Sequence, residues 1–381
     1  MAWTRNRPLG LVYRDAAQAH AGYTLFSSVE GHHATLIDAE GRIVHRWVHP
    51  EGIQYARLLP NGHLLFHISS PAHTIPPEEV SPVGVVGGAA RALIEVDWDG
   101  NTVWEFRHDQ QHHDFVRLAN GNHVIPFWEV LPDEVRRQVR GGFQGPNDPD
   151  IMLGDLVREI TPAGGIVREW RSWEHFAYAD DVICPLERRR EWTHMNSVSV
   201  TPSGDWLLSF RQTDTVMLVE PSNGTVLWKW GPGVLSHQHH VTMLADGHVL
   251  IFDNGTHRKG GPSHSRVVEV DPTTNEIVWT YQAPVILAFS SFMVSGAERL
   301  SNRNTLITEG ATGRIFEVTP QGETVWEYVS GFTPSGRFGP TPAVFRAHRY
   351  EFDDARFAGR DLDPARWAEA TEQLRSGVHP Y

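Results

Sequence analysis

The sequence predicts an all-β fold, a six-bladed β-propeller closed by pairing strands from the two ends of the chain, with a short C-terminal helix. Three observations carry the prediction. One hairpin pattern recurs six times, a second alternates with it, and the single missing hairpin can be assembled from opposite ends of the 381-residue chain. The first pattern is an apolar strand ending in Asp, Glu or Thr, a tight turn, and a strand ending in an aromatic residue. It reads Leu36-Ile-Asp-Ala-Glu-Gly-Arg-Ile-Val-His-Arg-Trp47 and Glu95-Val-Asp-Trp-Asp-Gly-Asn-Thr-Val-Trp104 at its first two occurrences. It returns to end at Trp170, Trp228, Trp279 and Trp326. Asp38, Asp97, Thr161, Glu220, Asp271 and Thr319 mark the copies, 59, 64, 59, 51 and 48 residues apart, the period of a four-stranded blade with variable loops.

The second pattern is built on Leu59-Pro-Asn-Gly62, Leu118-Ala-Asn-Gly121, Thr201-Pro-Ser-Gly204, Leu244-Ala-Asp-Gly247 and Leu300-Ser-Asn-Arg-Asn304. Asn-Gly and Asp-Gly between apolar runs signal hairpins, because such turns need positive φ. For the sixth blade, 343–350 supplies the inner strand and 22–27 lies beside it, followed by 34–38 and 43–47. Joining the termini in one blade removes the sheet edges that an open array would expose. The expected organisation is an N-terminal arm at 1–21, the propeller at 22–352 and a helical tail at 353–381. In the tail, Asp363 caps, Pro364 opens the first turn, and Trp367, Ala370 and Leu374 share a face. The six strand-terminal tryptophans read as inter-blade core.

Composition narrows the partners. Hydrophobic content of 40% with 21% charged residues describes a globular chain. The formal net charge of −13 opposes a phosphate backbone or an anionic membrane, so neither nucleic acid nor membrane is expected. The start has no apolar signal core, and Cys184 is the only cysteine, which together predict a cytoplasmic protein without disulfides. Oligomeric state leaves no trace in the sequence. What stands out is 22 histidines.

Topology says where those histidines matter. All the tight turns fall on one face, and the long connections, 70–91, 129–154 and 171–193 among them, fall on the other with the first residue of each inner strand. Those first residues are Gln54-Tyr55, His112-His113-Asp114, His194-Met-Asn196, Gln238-His239-His240, Ser295-Gly296 and Arg346-Ala-His348. The second strands end there at Ser209-Phe-Arg211 and Phe252-Asp-Asn254. The face is therefore expected to gather His113, His194, His239 and Arg211, with His112, Asn196, His240, Asn254, His348 and Tyr55 as binding residues. Thirteen others, including His45, His63, His175, His248 and His257, fall on turns, outer strands or loops and read as structural. Cys184 reads as an idle thiol, and Arg136, Arg137 and Arg140 as a solvated helix face.

Two chemistries suit converging imidazoles. They can hold a divalent metal, with His113, His194, His239 and His240 as the ligand set of a lyase or hydrolase. Alternatively, one imidazole is a nucleophile, a second serves the leaving group, and an Arg stabilises an anionic transferring group without any cofactor. Arg211 favours the second, since a guanidinium repels a cation and attracts a sulfuryl or phosphoryl group. A third possibility is a propeller that only binds a partner through its long loops.

At these residues the sequence resembles the arylsulfotransferase propeller family, the PAPS-independent aryl-sulfate sulfotransferases. The likeness lies in Glu191-Trp-Thr-His-Met-Asn-Ser197, Ser209-Phe-Arg-Gln212, Gln238-His239 with Leu250-Ile-Phe-Asp-Asn-Gly255, and His112-His-Asp-Phe with Ala119-Asn-Gly. It spans roughly 23–350. It implies an aromatic small-molecule substrate and a sulfuryl group carried by His239 from an aryl sulfate to a phenol. On the same basis His194 and Arg211 bind the sulfuryl oxygens, and His113 or His112 assists the phenolate. The characterised members are exported and carry an N-terminal β-sandwich, and this sequence shows neither feature. His240 is the competing nucleophile, and the register back from Leu244 selects His239.

Overall fold

A computed structural model describes residues 8–69, 86–146, 148, 150–336 and 339–376. His73, His379 and most of the 70–91 loop lie outside the described residues. The strands form six four-stranded antiparallel meanders, the arrangement of a six-bladed propeller. Blade 1 comprises Tyr55–Leu58, Leu64–Ser69, Ala90–Val96 and Thr102–Arg107, and blade 2 comprises Val116–Arg117, His123–Val130, Leu153–Ile160 and Ile166–Arg171. Blade 3 is Met195–Val200, Trp206–Phe210, Thr215–Glu220 and Thr225–Trp230, and blade 4 is His239–Met243, Val249–Asp253, Arg266–Asp271 and Glu276–Tyr281. Blade 5 is Gly296–Arg299, Thr305–Glu309, Arg314–Val318 and Thr324–Val329. Blade 6 is the closing one: Val344–Glu351 pairs with Gly22–Ser28, followed by His33–Ile37 and Ile43–Val48.

The residue pattern explains the strand order within a blade. Val249, Leu250, Ile251 and Phe252 are all fully buried, as expected for a second strand covered on both faces. The outer strand Thr225–Trp230 instead alternates exposed and half-buried positions. The tight turns hold their glycines at positive φ, for example 90° at Gly247, whereas blade 5 places Arg303 there at 70°.

Compactness divides the chain into two units, 1–69 with 93–105 and 293–381, and 70–92 with 106–292. The first unit packs Phe26, Ile315, Trp326, Tyr328 and Val344 against Leu374 of the tail. The tail is a 3-10 turn, Pro364–Trp367, capped by the Asp363 carboxylate, running into the helix Ala368–Ser376. The second unit has one core around Trp192, Trp206, Leu208 and Phe210, and another around Val241, Ile251 and Val268.

Within each unit the outer-strand tryptophans do more than fill space. Four indoles donate to a turn of the following blade: Trp47 to the Asp97 carbonyl and Trp326 to that of Ala39 in the first unit, Trp170 to the Gly224 carbonyl and Trp228 to the Asn275 side chain in the second. A second recurrent contact fixes the other hairpin. His63 reaches Glu95 at 2.7 Å, Asn122 reaches Glu159 at 2.6 Å, His248 reaches Glu269 at 2.7 Å and Asn304 reaches Glu317 at 2.6 Å. Two of the histidines set aside as structural thereby have their function in the fold.

Two segments depart from the sequence expectation. The supposed arm contributes Gly10–Arg14, which pairs with Thr324–Val329 as a fifth strand of blade 5 and covers its outer edge. The long loop 129–154 carries the helix Asp133–Gln138, with Arg136 and Arg137 on it as expected and Arg140 beyond its end, and in addition the strand Gly141–Phe143, which pairs in parallel with Ile183–Arg188 of the 171–193 crossing. Among the described residues no helix is long and apolar enough to cross a membrane.

Candidate active site

The second unit holds most of the expected site. His113 and His194 precede the first strands of blades 2 and 3, both in the left-handed region, at φ 56° and 61°. Bulky residues rarely hold that conformation, and its concentration here points to a functional constraint. Their rings meet edge to face at 4.7 Å. Gly88 makes the position of His113 possible: its carbonyl accepts the His113 backbone N–H at 2.8 Å, and a Cβ on it would fall 2.0 Å from Nε2 of the ring.

Behind His113 lie two more buried groups, His112 and Asp155. Its Nδ1 is 2.9 Å from Nδ1 of His112, whose Nε2 is 3.4 Å from the Asp155 carboxylate. His112 stacks on Trp128 at 4.2 Å, which fixes its plane. Asp155 also accepts from the backbone N–H and hydroxyl of Thr193, at 2.9 and 3.0 Å. Burial, helped by the neighbouring Glu191, pushes the Asp155 carboxyl up to about 6. Glu191 approaches Nδ1 of His194 at 2.7 Å.

His239 opens blade 4, whose first strand is bonded to that of blade 3. Asn196 Nδ2 donates to the Gln238 carbonyl at 2.7 Å, and the Ser197 hydroxyl accepts from the Val241 N–H at 3.3 Å. Asn196 Oδ1 is buried and has no hydrogen-bond partner among the described residues. Asn254 sets the tautomer of His239. Its Nδ2 must donate to the Ser291 carbonyl at 2.7 Å, so its Oδ1, 2.8 Å from Nδ1 of His239, faces the ring as an acceptor. His239 therefore carries its proton on Nδ1 and its lone pair on Nε2. His240 occupies a bulge in the same strand at φ 45°, so strand pairing resumes at Val241.

Arg211 differs from the expectation. Its backbone N–H donates to the His194 carbonyl, but its guanidinium pairs with Glu187 at 2.9 Å and so faces the 171–193 crossing. There it meets residues that sequence reasoning passed over. His237, only 1% exposed, donates from Nδ1 to the Arg211 carbonyl at 2.9 Å, and its Nε2 is 3.0 Å from Nδ1 of His257. Cys184 Sγ is 3.5 Å from the same His257 nitrogen. Burial disfavours the charge on His237, but hydrogen bonds with Asp214 and Cys184 prevail and raise it to about 9. Burial and the positive charges of His237 and Arg211 lower His257. The only sequence signal was the density of imidazoles in Ser236-His-Gln-His-His240.

Tyr55 and His348 belong to the first unit, where they share a network. The Tyr55 hydroxyl is 3.0 Å from Nε2 of His348 and accepts from Arg346 at 3.0 Å, while Nδ1 of His348 is 3.1 Å from Glu298. Burial, reinforced by Arg57, pulls His348 down to about 4, so it is neutral at physiological pH.

A model of the arylsulfotransferase (ASST) family matches residues 90–331. The chain belongs to the arylsulfotransferase family. The ASST match spans His112, His113, His194, Asn196, Arg211, His239, His240 and Asn254, and ends before His348 and begins after Tyr55. No curated protein matches the chain. Among solved structures it is similar to a protein of unknown function from Bacteroides caccae, at 15% identity and TM-score 0.53, covering 86% of this chain and 98% of that one. Virginiamycin B lyase from Staphylococcus aureus aligns at 12% identity and TM-score 0.46, over 85% of this chain and 87% of that one. The first likeness shows the fold alone, which agrees with the six-blade arrangement of this ASST-family chain.

Proposed function

We propose that the protein is a transferase that moves a sulfuryl group from an aryl sulfate to a phenolic acceptor through a transient sulfohistidine at His239. The observation that carries the reading is the Asn254 amide held by Ser291, which presents His239 as an Nδ1–H tautomer with a nucleophilic Nε2. Nε2 attacks the sulfur, an N–S bond forms and the aryl O–S bond breaks. The phenolate takes a proton from His113, whose ring stays neutral, backed by His112 and Asp155, until the second half-reaction. In the second half the acceptor phenol returns a proton to His113 as its oxygen attacks sulfur, and the N–S bond breaks. His194 and Arg211 bind the sulfuryl oxygens; one guanidinium nitrogen engages Glu187, and the five-donor fork keeps others for the anion. Asn196 and His240 line the site. No cofactor enters this sequence of steps.

The test is incubation with para-nitrophenyl sulfate and a phenol acceptor. Expected are donor-dependent sulfation of the acceptor, ping-pong kinetics and an acid-labile sulfo adduct on the peptide containing His239. Turnover undiminished in His239→Ala, or no transfer with any of a panel of aryl sulfates, would overturn the reading.

A further inference from the structure

Beside the candidate active site, four donors from three chain segments converge without a role in the transfer chemistry. Cys184 and Glu187 lie on Ile183–Arg188 of the crossing between blades 2 and 3, His237 precedes the first strand of blade 4, and His257 follows its second. Cys184 Sγ is 3.5 Å and His237 Nε2 3.0 Å from His257 Nδ1. Glu187 Oε1 stands 3.5 Å from His237 Nε2 and 3.7 Å from His257 Nδ1. A tetrahedral zinc ion with Zn–N of about 2.0 Å and Zn–S of about 2.3 Å spaces its ligand atoms roughly 3.3–3.6 Å apart. Cys184, His237 and His257 hold their donor atoms within 4.8 Å of one another, close enough for small side-chain shifts to reach that spacing, and Glu187 approaches from the side of the two imidazoles.

Three further features belong to a metal site. His237 gives its Nδ1–H to the Arg211 carbonyl at 2.9 Å, with Asp214 at 3.3 Å, so Nε2, aimed at the cluster, is the nitrogen a metal would take once it displaces the proton there. His237 and His257 are both held in the left-handed region, at φ 57° and 60°, strain that a ligand role would explain. A cavity of about 430 Å³, lined by Cys184, Gln212, Asp214, Thr256 and His257, gives an ion a way in. The geometry points to a zinc site formed by Cys184, Glu187, His237 and His257, distinct from the imidazoles that handle the sulfuryl group. Thiolate and carboxylate together neutralise the dication. Glu187 uses a separate lone pair for Arg211, so the ion also fixes the anchor of that guanidinium. It staples the 171–193 crossing to blade 4.

The probe is the metal alone, and the readout needs no turnover, so it is independent of the sulfuryl-transfer reading. Untagged full-length protein, stripped with chelator, is titrated with Co(II) and then displaced with Zn(II). Expected are one ion per chain, a thiolate-to-cobalt charge-transfer band, intense tetrahedral visible bands, and a thermal midpoint raised by zinc. Cys184→Ser is expected to abolish the charge-transfer band and weaken binding more than about 100-fold, and Asp214→Asn to weaken it by about 10-fold. Circular dichroism verifies that both variants are folded. Absence of stoichiometric binding would overturn the proposal. So would a charge-transfer band that survives Cys184→Ser, or metal binding lost in His113→Ala and retained in Cys184→Ser.

Discussion

The two units of the chain use buried histidine in opposite ways. In the first, His348 is enclosed by Tyr55, Glu298 and Arg57, pulled down to about 4 and locked neutral. Its network is an internal support. In the second, His113, His194 and His240 are held at strained backbone angles, and His239 is oriented by an amide with no alternative pose. The contrast teaches that burial alone does not distinguish a functional imidazole. What distinguishes it is strain tolerated at the strand start and a neighbour that dictates which nitrogen carries the proton.

The largest effect that could break this contrast is in turnover. His239→Ala is expected to lower kcat for aryl-sulfate transfer by about 10⁴-fold or more. A comparable loss on changing the first unit's network would erase the distinction. Asp155 sharpens it next. Its folded value of about 6 lies above the ordinary 3.8, so the stabilisation it supplies is fully present below pH 3.8 and lost as pH rises through about 6. Asp155→Asn is expected to remove roughly 3 kcal/mol of that pH dependence, read as the difference between wild-type and variant urea unfolding at pH 3.5 and about 7. A variant whose pH profile matches wild type would show that the dependence does not come from Asp155. Gly88→Ala drives a methyl into the His113 ring and is expected to cost about 10²-fold in kcat through misplacement, with smaller effects on donor KM. An unchanged kcat would mean that His113 is not the proton donor. The smallest effect falls in the first unit. Tyr55→Phe removes the hydroxyl between His348 and Arg346, with an expected loss of about 1–2 kcal/mol of stability in thermal unfolding. Its kcat should stay within about threefold of wild type.

The fold was legible because its turns demand particular residues. Asn-Gly and Asp-Gly pairs fix hairpins locally, and the tryptophans mark each outer strand, so periodicity alone gave six blades and even the joined termini. The strand Gly10–Arg14 escaped notice because five residues with two exposed side chains, adjacent in sequence, carry no alternation to register. The site was legible to the extent that it depends on strand register: His239 begins its first strand, His194 immediately precedes one and His113 stands three residues before another. Side-chain direction was not. Arg211 ends its strand where expected, yet its guanidinium is engaged by Glu187, on a crossing that no local rule positions. Cys184 and His257 were set aside for the same reason. They come from loops with no shared sequence signal: Cys184 lies on a crossing strand that pairs in parallel with Gly141–Phe143 and donates its N–H to the Gln212 carbonyl, and His257 lies on a loop of blade 4.

Blade 6 has a consequence for how the chain is made. Gly22–Ser28 leaves the ribosome some three hundred residues before Val344–Glu351, the strand that completes its ladder. At about 5–20 residues per second, the interval is about 15–60 s. Throughout it the nascent chain presents a bare strand edge to every neighbour, and synthesis speed, rather than sequence alone, sets how long that edge is open to capture by another chain.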